Sequence, residues 1–69
     1  SEESKAIVRA TIAIAHSLGK VVVAEGVETE EIAAELRDME CDHGQGYLFA
    51  KAIPMEQLVE MIQEKRAAA

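Results

Sequence analysis

Apolar and polar positions along the chain divide it into three amphipathic stretches separated by two short apolar runs. Ile7, Val8, Thr11, Ile12, Ala15 and Leu18 recur with a period near 3.6, the stripe of one helix face, and Ile14 widens that stripe. Ser1 or Ser4 can cap this helix, Glu2 and Glu3 suit the positive end of its dipole, and Gly19 supplies a stop. The spacing predicts a helix over residues 4–18. Lys20-Val21-Val22-Val23-Ala24 reads as a strand. Its continuous apolar character is the pattern of a strand buried on both faces, as in parallel sheets. Thr29 is a natural N-cap for a second helix, with Glu30 and Glu31 in its first turn. Ile32, Ala33, Leu36 and Met39 form its inner face, and it ends near Glu40 without the usual glycine. Asp42–Gly46 reads as a loop, Tyr47–Ala50 as a short strand whose two aromatics pack inside, and Ile53-Pro54 as the opening of a third helix. Pro54 is expected at the first helical position, where its missing N–H costs nothing. Met55, Leu58, Val59 and Ile62 make the stripe of that helix, and the tail beyond Lys65 is expected to fray.

The order is α-β-α-β-α, an α/β pattern that implies parallel strands joined by right-handed crossovers. Two parallel strands cannot close a sheet, and their open edges invite pairing. The chain therefore reads as a portion of a larger parallel sheet or barrel. Its 69 residues allow one domain at most. A chain so short buries only about 60% of the surface it exposes unfolded. Apolar residues make up 49%, but 12 of them are Ala, with one Phe, one Tyr and no Trp, so large core side chains are few. The missing initiator Met and the Ala67-Ala68-Ala69 tail suggest an excised or processed piece.

Charge narrows the partners. Thirteen Asp and Glu against seven Lys and Arg give a net charge of -6. That disfavours coating a nucleic acid polymer or lying on an anionic membrane, both of which need basic surface. It leaves room for an anionic small ligand, because a bound divalent cation reverses the local field. Cys41 is the single cysteine, so no internal disulfide forms, and a reduced intracellular compartment is the easier reading. No apolar run approaches the roughly 18–20 residues that span a bilayer.

The sharpest chemical feature is Glu25-Gly26-Val27-Glu28, placed where an apolar strand stops. In barrels and open α/β sheets, ligand chemistry sits at the carboxyl ends of strands. A carboxylate there suits a hard cation such as Mg²⁺ or Mn²⁺, and Gly26 allows a sharp turn that re-aims the second carboxylate. The residues alone leave open that Glu25 and Glu28 are solvated loop residues, Glu28 serving the next helix. Gln45, between Gly44 and Gly46, offers a donor and an acceptor to a polar ligand or a water, or is simply an exposed turn amide. His16 near a helix end fits a cap or surface role. His43 beside Cys41 and Asp42 matches no zinc spacing, and Cys41 fits a small buried hydrophobe.

Taken in order, four segments carry a family resemblance. They are Ala6-Ile7-Val8-Arg9-Ala10, Ala15-His16-Ser17-Leu18-Gly19, Val22-Val23-Ala24-Glu25-Gly26-Val27-Glu28-Thr29 and Cys41-Asp42-His43-Gly44-Gln45-Gly46-Tyr47-Leu48-Phe49. The chain resembles the C-terminal part of bacterial EAL domains, the cyclic di-GMP phosphodiesterases, and Ile53-Pro54 resembles the proline that opens the family's last helix. The resemblance covers nearly all of residues 1–69. It implies a TIM-like (β/α) barrel, of which this chain is an αβαβα fragment. It also implies two Mg²⁺ or Mn²⁺ ions that activate water against cyclic di-GMP, giving pGpG. By the same resemblance, Glu25 belongs to the metal and water site, Glu28 contacts a guanine edge, and Gln45 lies at the catalytic pocket. A cytoplasmic bacterial setting follows, with any membrane anchor carried by other domains.

The departures shape the expectation. The Glu-Ala-Leu motif and the other metal-binding residues that the family draws from earlier strands are absent. Two-metal chemistry needs ligands from several strands, so the fragment alone is expected to be inactive and its parent to be the enzyme. Glu40 stands where relatives often have Gly, and His43 where they often have Tyr. Two other readings compete: a piece of a degenerate EAL domain that binds cyclic di-GMP without hydrolysing it, or a self-assembling partial barrel. Its partners are accordingly cyclic di-GMP and either the remainder of an EAL barrel or further copies of itself.

Overall fold

The computed structural model describes residues 1–46 and 49–68. The elements run α1 (Glu2–Ser17), β1 (Val23–Val27), α2 (Glu30–Asp38), β2 (His43–Gly46), β3 (Phe49–Pro54) and α3 (Met55–Ala68). The three strands form one sheet in the order β1-β2-β3. β1 and β2 are parallel, joined by the α2 crossover, and β3 returns antiparallel to β2. The α/β class and the parallel pair are as the sequence implies, and β3 makes the sheet mixed.

Helix ends follow local chemistry. Ser1 caps α1 by accepting the Ser4 N–H, and Thr29 caps α2 by accepting the Ile32 N–H. α1 closes with Gly19 N–H to His16 C=O at 3.0 Å and Lys20 N–H to Ala15 C=O at 2.9 Å. α2 closes in the same way, with Glu40 N–H to Arg37 C=O and Cys41 N–H to Leu36 C=O, both at 2.9 Å. These are Schellman closures, which place the residue after the cap in the left-handed region. At α2 that residue is Glu40, with φ 68°, a conformation that costs a side-chain-bearing residue about 1–2 kcal/mol.

The core holds Ile12, Val27, Ala33, Cys41, Met55, Leu58, Val59 and Ile62, flanked by Val22, Ala24, Leu36, Met39 and Ile53. The α3 stripe is buried as its periodicity predicts. α2 and α3 pack against each other, and α3 lies on β2 and β3. Ion pairs link the helices: Arg66 with Glu30, Arg37 with Glu56 at 3.9 Å, and Lys5 with Glu35 at 3.4 Å.

Several element-level expectations are corrected. The first strand begins at Val23 rather than Lys20. Its register is set by β2, whose His43 N–H reaches the Val22 carbonyl at 3.0 Å. Val21 and Val23 are exposed, so the run is covered on one face only. Asp42–Gly46 is largely strand, not loop: β2 is held by neighbours on both sides, which overrides the poor strand propensity of His-Gly-Gln-Gly. Pro54 ends β3, and α3 starts one residue later. Ile32 is exposed, and Ile12 is the one α1 residue among those described that is buried. Tyr47, Leu48 and the packing expected of the two aromatics lie outside the described residues.

Candidate functional site

The β1 strand carries an irregularity at its chemically notable residues. Ala24 pairs with Gly44 and Val27 with Gly46, so Glu25 and Gly26 together match the single residue Gln45. This is a bulge with one extra residue on β1. Gly26 takes φ 70°, open to glycine without steric cost. The bulge also resets which side chains face the core. Val22 and Ala24 point inward by strand alternation, and the extra residue brings Val27, rather than Gly26, into the core.

On the other side, β2 and β3 are irregular at the same level. Gly44 pairs with Ile53 and Gly46 with Phe49, so three residues of β3 span the position that Gln45 occupies on β2. Gln45 thus sits on the central strand between two distorted neighbours, half-buried. Glycines flank it for different reasons. Gly44 is buried beneath α3, where a Cβ would lie 2.6 Å from both Leu58 Cδ2 and Met55 Sδ. Gly46, at φ 137°, lies against the main chain of Val27.

Because β1 and β2 are parallel and end together at Val27 and Gly46, Glu25, Glu28 and Gln45 share the carboxyl end of the pair. Glu25 lies inside β1, at its bulge, rather than just past the strand as its position after Ala24 suggested. It stands exposed at the lip of a groove of about 370 Å³ between α1 and the sheet, lined by Ile7, Thr11, Val22, Leu36 and Cys41 among others. Glu28 is exposed and immediately precedes the Thr29 cap. Among the described residues no three His, Cys, Asp or Glu side chains gather closely enough to hold a metal ion. The donor chemistry of Glu25 suits a hard divalent cation, and one carboxylate supplies a share of its coordination shell rather than all of it.

A polar node at the opposite, amino end of the pair was not legible in the sequence. His16 Nε2 lies 2.7 Å from Asp42 Oδ2, and the same oxygen accepts the Val22 N–H at 2.7 Å. The Asp42 carbonyl accepts the Met55 N–H at 3.1 Å. The hydrogen bond to His16 first, and that from Val22 second, hold the Asp42 carboxyl below its usual range. His16 therefore tethers the end of α1 to the sheet, a partner 26 residues away. Cys41 is buried, its thiol 3.5 Å from the His43 carbonyl and 3.7 Å from the Val22 carbonyl. Burial pushes that thiol up, the setting of a structural rather than a nucleophilic cysteine.

The family model described as EAL domain matches residues 1–52. The chain belongs to the EAL domain family. It is 42% identical over 66 residues to cyclic di-GMP phosphodiesterase NbdA of Pseudomonas aeruginosa, covering 96% of this chain and 8% of that protein. It is 37% identical over 57 residues to cyclic di-GMP phosphodiesterase RocR of the same organism, covering 83% of this chain and 14% of that protein. Among solved structures it matches the EAL enzyme Bd1971 in its cAMP- and cyclic-di-GMP-bound form, with a TM-score of 0.67 and 36% identity. That match covers 91% of this chain and 17% of the other. The EAL segment described here thus spans a small fraction of the length of its relatives. No helix among the described residues is long and apolar enough to cross a membrane.

Proposed function

We infer that this segment is the C-terminal part of a cytoplasmic EAL phosphodiesterase, and that within a complete barrel it helps convert cyclic di-GMP to pGpG. The observation that carries the reading is the shared carboxyl edge of β1 and β2, which brings Glu25, Glu28 and Gln45 to one end of the sheet in a chain 42% identical to a cyclic di-GMP phosphodiesterase. Two Mg²⁺ or Mn²⁺ ions, when bound, lower the pKa of a coordinated water and offset charge on the scissile phosphodiester. Glu25 is the residue of this segment suited to such a cation, as a hard anionic oxygen donor. Glu28 accepts from the two N–H donors on a guanine edge. Gln45 holds a polar ligand edge or the attacking water through its amide. The remaining ligands come from outside residues 1–69, so the isolated segment does not turn over.

The test uses the full-length protein that carries this segment. Glu25→Gln keeps size and removes one anionic donor, so turnover of cyclic di-GMP should fall at least about a hundredfold while the melting temperature holds. Glu28→Gln should act mainly on KM, because an amide presents a donor to an edge that also donates. Turnover within a few-fold of wild type for Glu25→Gln overturns its metal role. A full-length protein that binds cyclic di-GMP without hydrolysing it identifies a receptor instead.

A further inference from the structure

We propose that the main-chain contact between Gly46 and the β1 bulge at Gly26-Val27 is the positioning element of this site. The inference rests on the functional reading above and concerns how Glu25, Glu28 and Gln45 are held, not what they do. A Cβ built on Gly46 lies 2.7 Å from the Val27 nitrogen, 2.9 Å from the Val27 oxygen and 3.2 Å from the Gly26 carbonyl carbon. All three obstacles are backbone atoms. The central strand therefore approaches its neighbour more closely than any side chain permits, at the Val27–Gly46 pair immediately after the level where Glu25 and Gly26 match Gln45.

The other glycines show what is particular here. At Gly44 the obstacles are the ends of Met55 and Leu58, which can shift by rotamer changes. At Gly19 and Gly26 nothing lies within 4 Å of the added carbon, so the cost there is confined to their positive φ. At Gly46 the positive φ and the main-chain clash coincide, so an added methyl moves backbone. The backbone it moves joins Glu25, within the bulge, to Glu28, one residue beyond Val27, while Gln45 is bonded directly to Gly46. Gly46 thus fixes the spacing between the acidic residues of β1 and the amide of β2 without touching a substrate. Gly26 completes the device by letting β1 bend away from β2 at its unpaired extra residue. Displacing reacting groups by a fraction of an ångström is enough to cost rate, and about 1 Å can cost a hundredfold.

The test compares single glycine substitutions in the full-length protein. Each variant is read by melting temperature, by kcat and KM for cyclic di-GMP, and by Mn²⁺ binding in calorimetry without substrate. Gly46→Ala should lower kcat about tenfold or more and weaken Mn²⁺ binding, beyond any loss explained by unfolding. Gly44→Ala and Gly19→Ala should lower the melting temperature and leave kcat and Mn²⁺ binding within about twofold. If Gly46→Ala does not fold, Gly26→Ala decides, since its Cβ meets open space and only the bend of the bulge changes. It too should lose kcat and Mn²⁺ affinity. Retention of both within twofold in the folded variant overturns the proposal. So does a loss that merely follows melting temperature as in Gly44→Ala. If wild type binds cyclic di-GMP without hydrolysing it, the catalytic reading fails, and the positioning claim then stands or falls on a tenfold loss of cyclic di-GMP binding in the same variants. A wild-type protein that neither hydrolyses nor binds cyclic di-GMP overturns both.

Discussion

Helices α1 and α3 are similar in length and both carry a stripe of large aliphatic side chains, but only one stripe has a receiving surface. In α3, Leu58, Val59 and Ile62 are at most 2% exposed, wedged between α2 and strands β2 and β3. In α1, Ile7 and Ile14 are 68% and 62% exposed and the C-cap Leu18 is 69% exposed, while Ile12 is buried. The same periodicity thus yields a core helix in one place and a loosely docked one in the other. The difference lies in what the chain offers opposite each stripe. The α2–sheet wedge is complete for α3, whereas between α1 and the sheet a groove of about 370 Å³ stays open. An apolar stripe reports that a helix face seeks burial, not that the partner is present within the same 69 residues.

Four measurements test that contrast. The largest effect is expected at Leu58. Leu58→Ala removes a fully buried side chain and should cost about 2–5 kcal/mol, enough to abolish a cooperative transition in the 69-residue chain. Ile14→Ala should change the unfolding free energy by less than about 0.5 kcal/mol. Equal effects of the two would erase the distinction between the helices.

Next is association. The exposed α1 stripe, with Val21 and Val23 beside the open β1 edge, should make the isolated chain either an oligomer or poorly folded. Its melting temperature should therefore rise with protein concentration. Ile14→Lys combined with Leu18→Lys should flatten that dependence. A concentration-independent melt from a species of monomer mass would show that the unit closes its own core.

A smaller gain is expected at Glu40. Glu40→Gly relieves the left-handed φ at the α2 terminus and should stabilise the chain by about 1 kcal/mol. Because it adds no partner for α1, native-state hydrogen exchange should still show α1 opening before α3.

The smallest effect is acid sensitivity. The folded Asp42 carboxyl is held below its ordinary value, so its contribution is present above the unfolded pKa of about 3.9 and is lost as pH falls through the lower folded value. Acid should therefore lower amide protection factors at the C-terminal end of α1 before it lowers those of α3, and Asp42→Asn should remove that difference. Protection that falls uniformly along the chain would show that the tether to His16 does not hold α1 in place.

Legibility in the sequence follows the range of the interaction involved. The caps at Ser1 and Thr29 and the α3 stripe were readable because they act within a few residues, but the limits shifted: α1 covers residues 2–17 rather than 4–18, and α3 begins after Pro54 and runs to Ala68. Glu25, Glu28 and Gln45 stood out because two acidic residues and an amide interrupt apolar or glycine-rich runs. β2 was not readable: His-Gly-Gln-Gly lacks strand propensity and becomes a strand through partners on both sides. The bulge was half-visible, since Gly26 marked a bend but nothing local showed that Glu25 would lie within the strand. The His16–Asp42 tether left no local trace because its members are far apart in the chain.

That tether has a kinetic side. Asp42 Oδ2 gathers the Val22 N–H, 20 residues away, and His16, 26 residues away. By loop-length scaling, closing the 20-residue interval to Val22 first costs about 0.2 kcal/mol less than closing the 26-residue interval to His16 first, and either contact leaves only six residues to close for the other. The sheet contact is thus slightly the easier first closure, and α1 then docks onto a carboxylate already held. On this account Asp42 is a branch point in the order of assembly, where one oxygen atom lets the sheet form before the helix that precedes it in the chain.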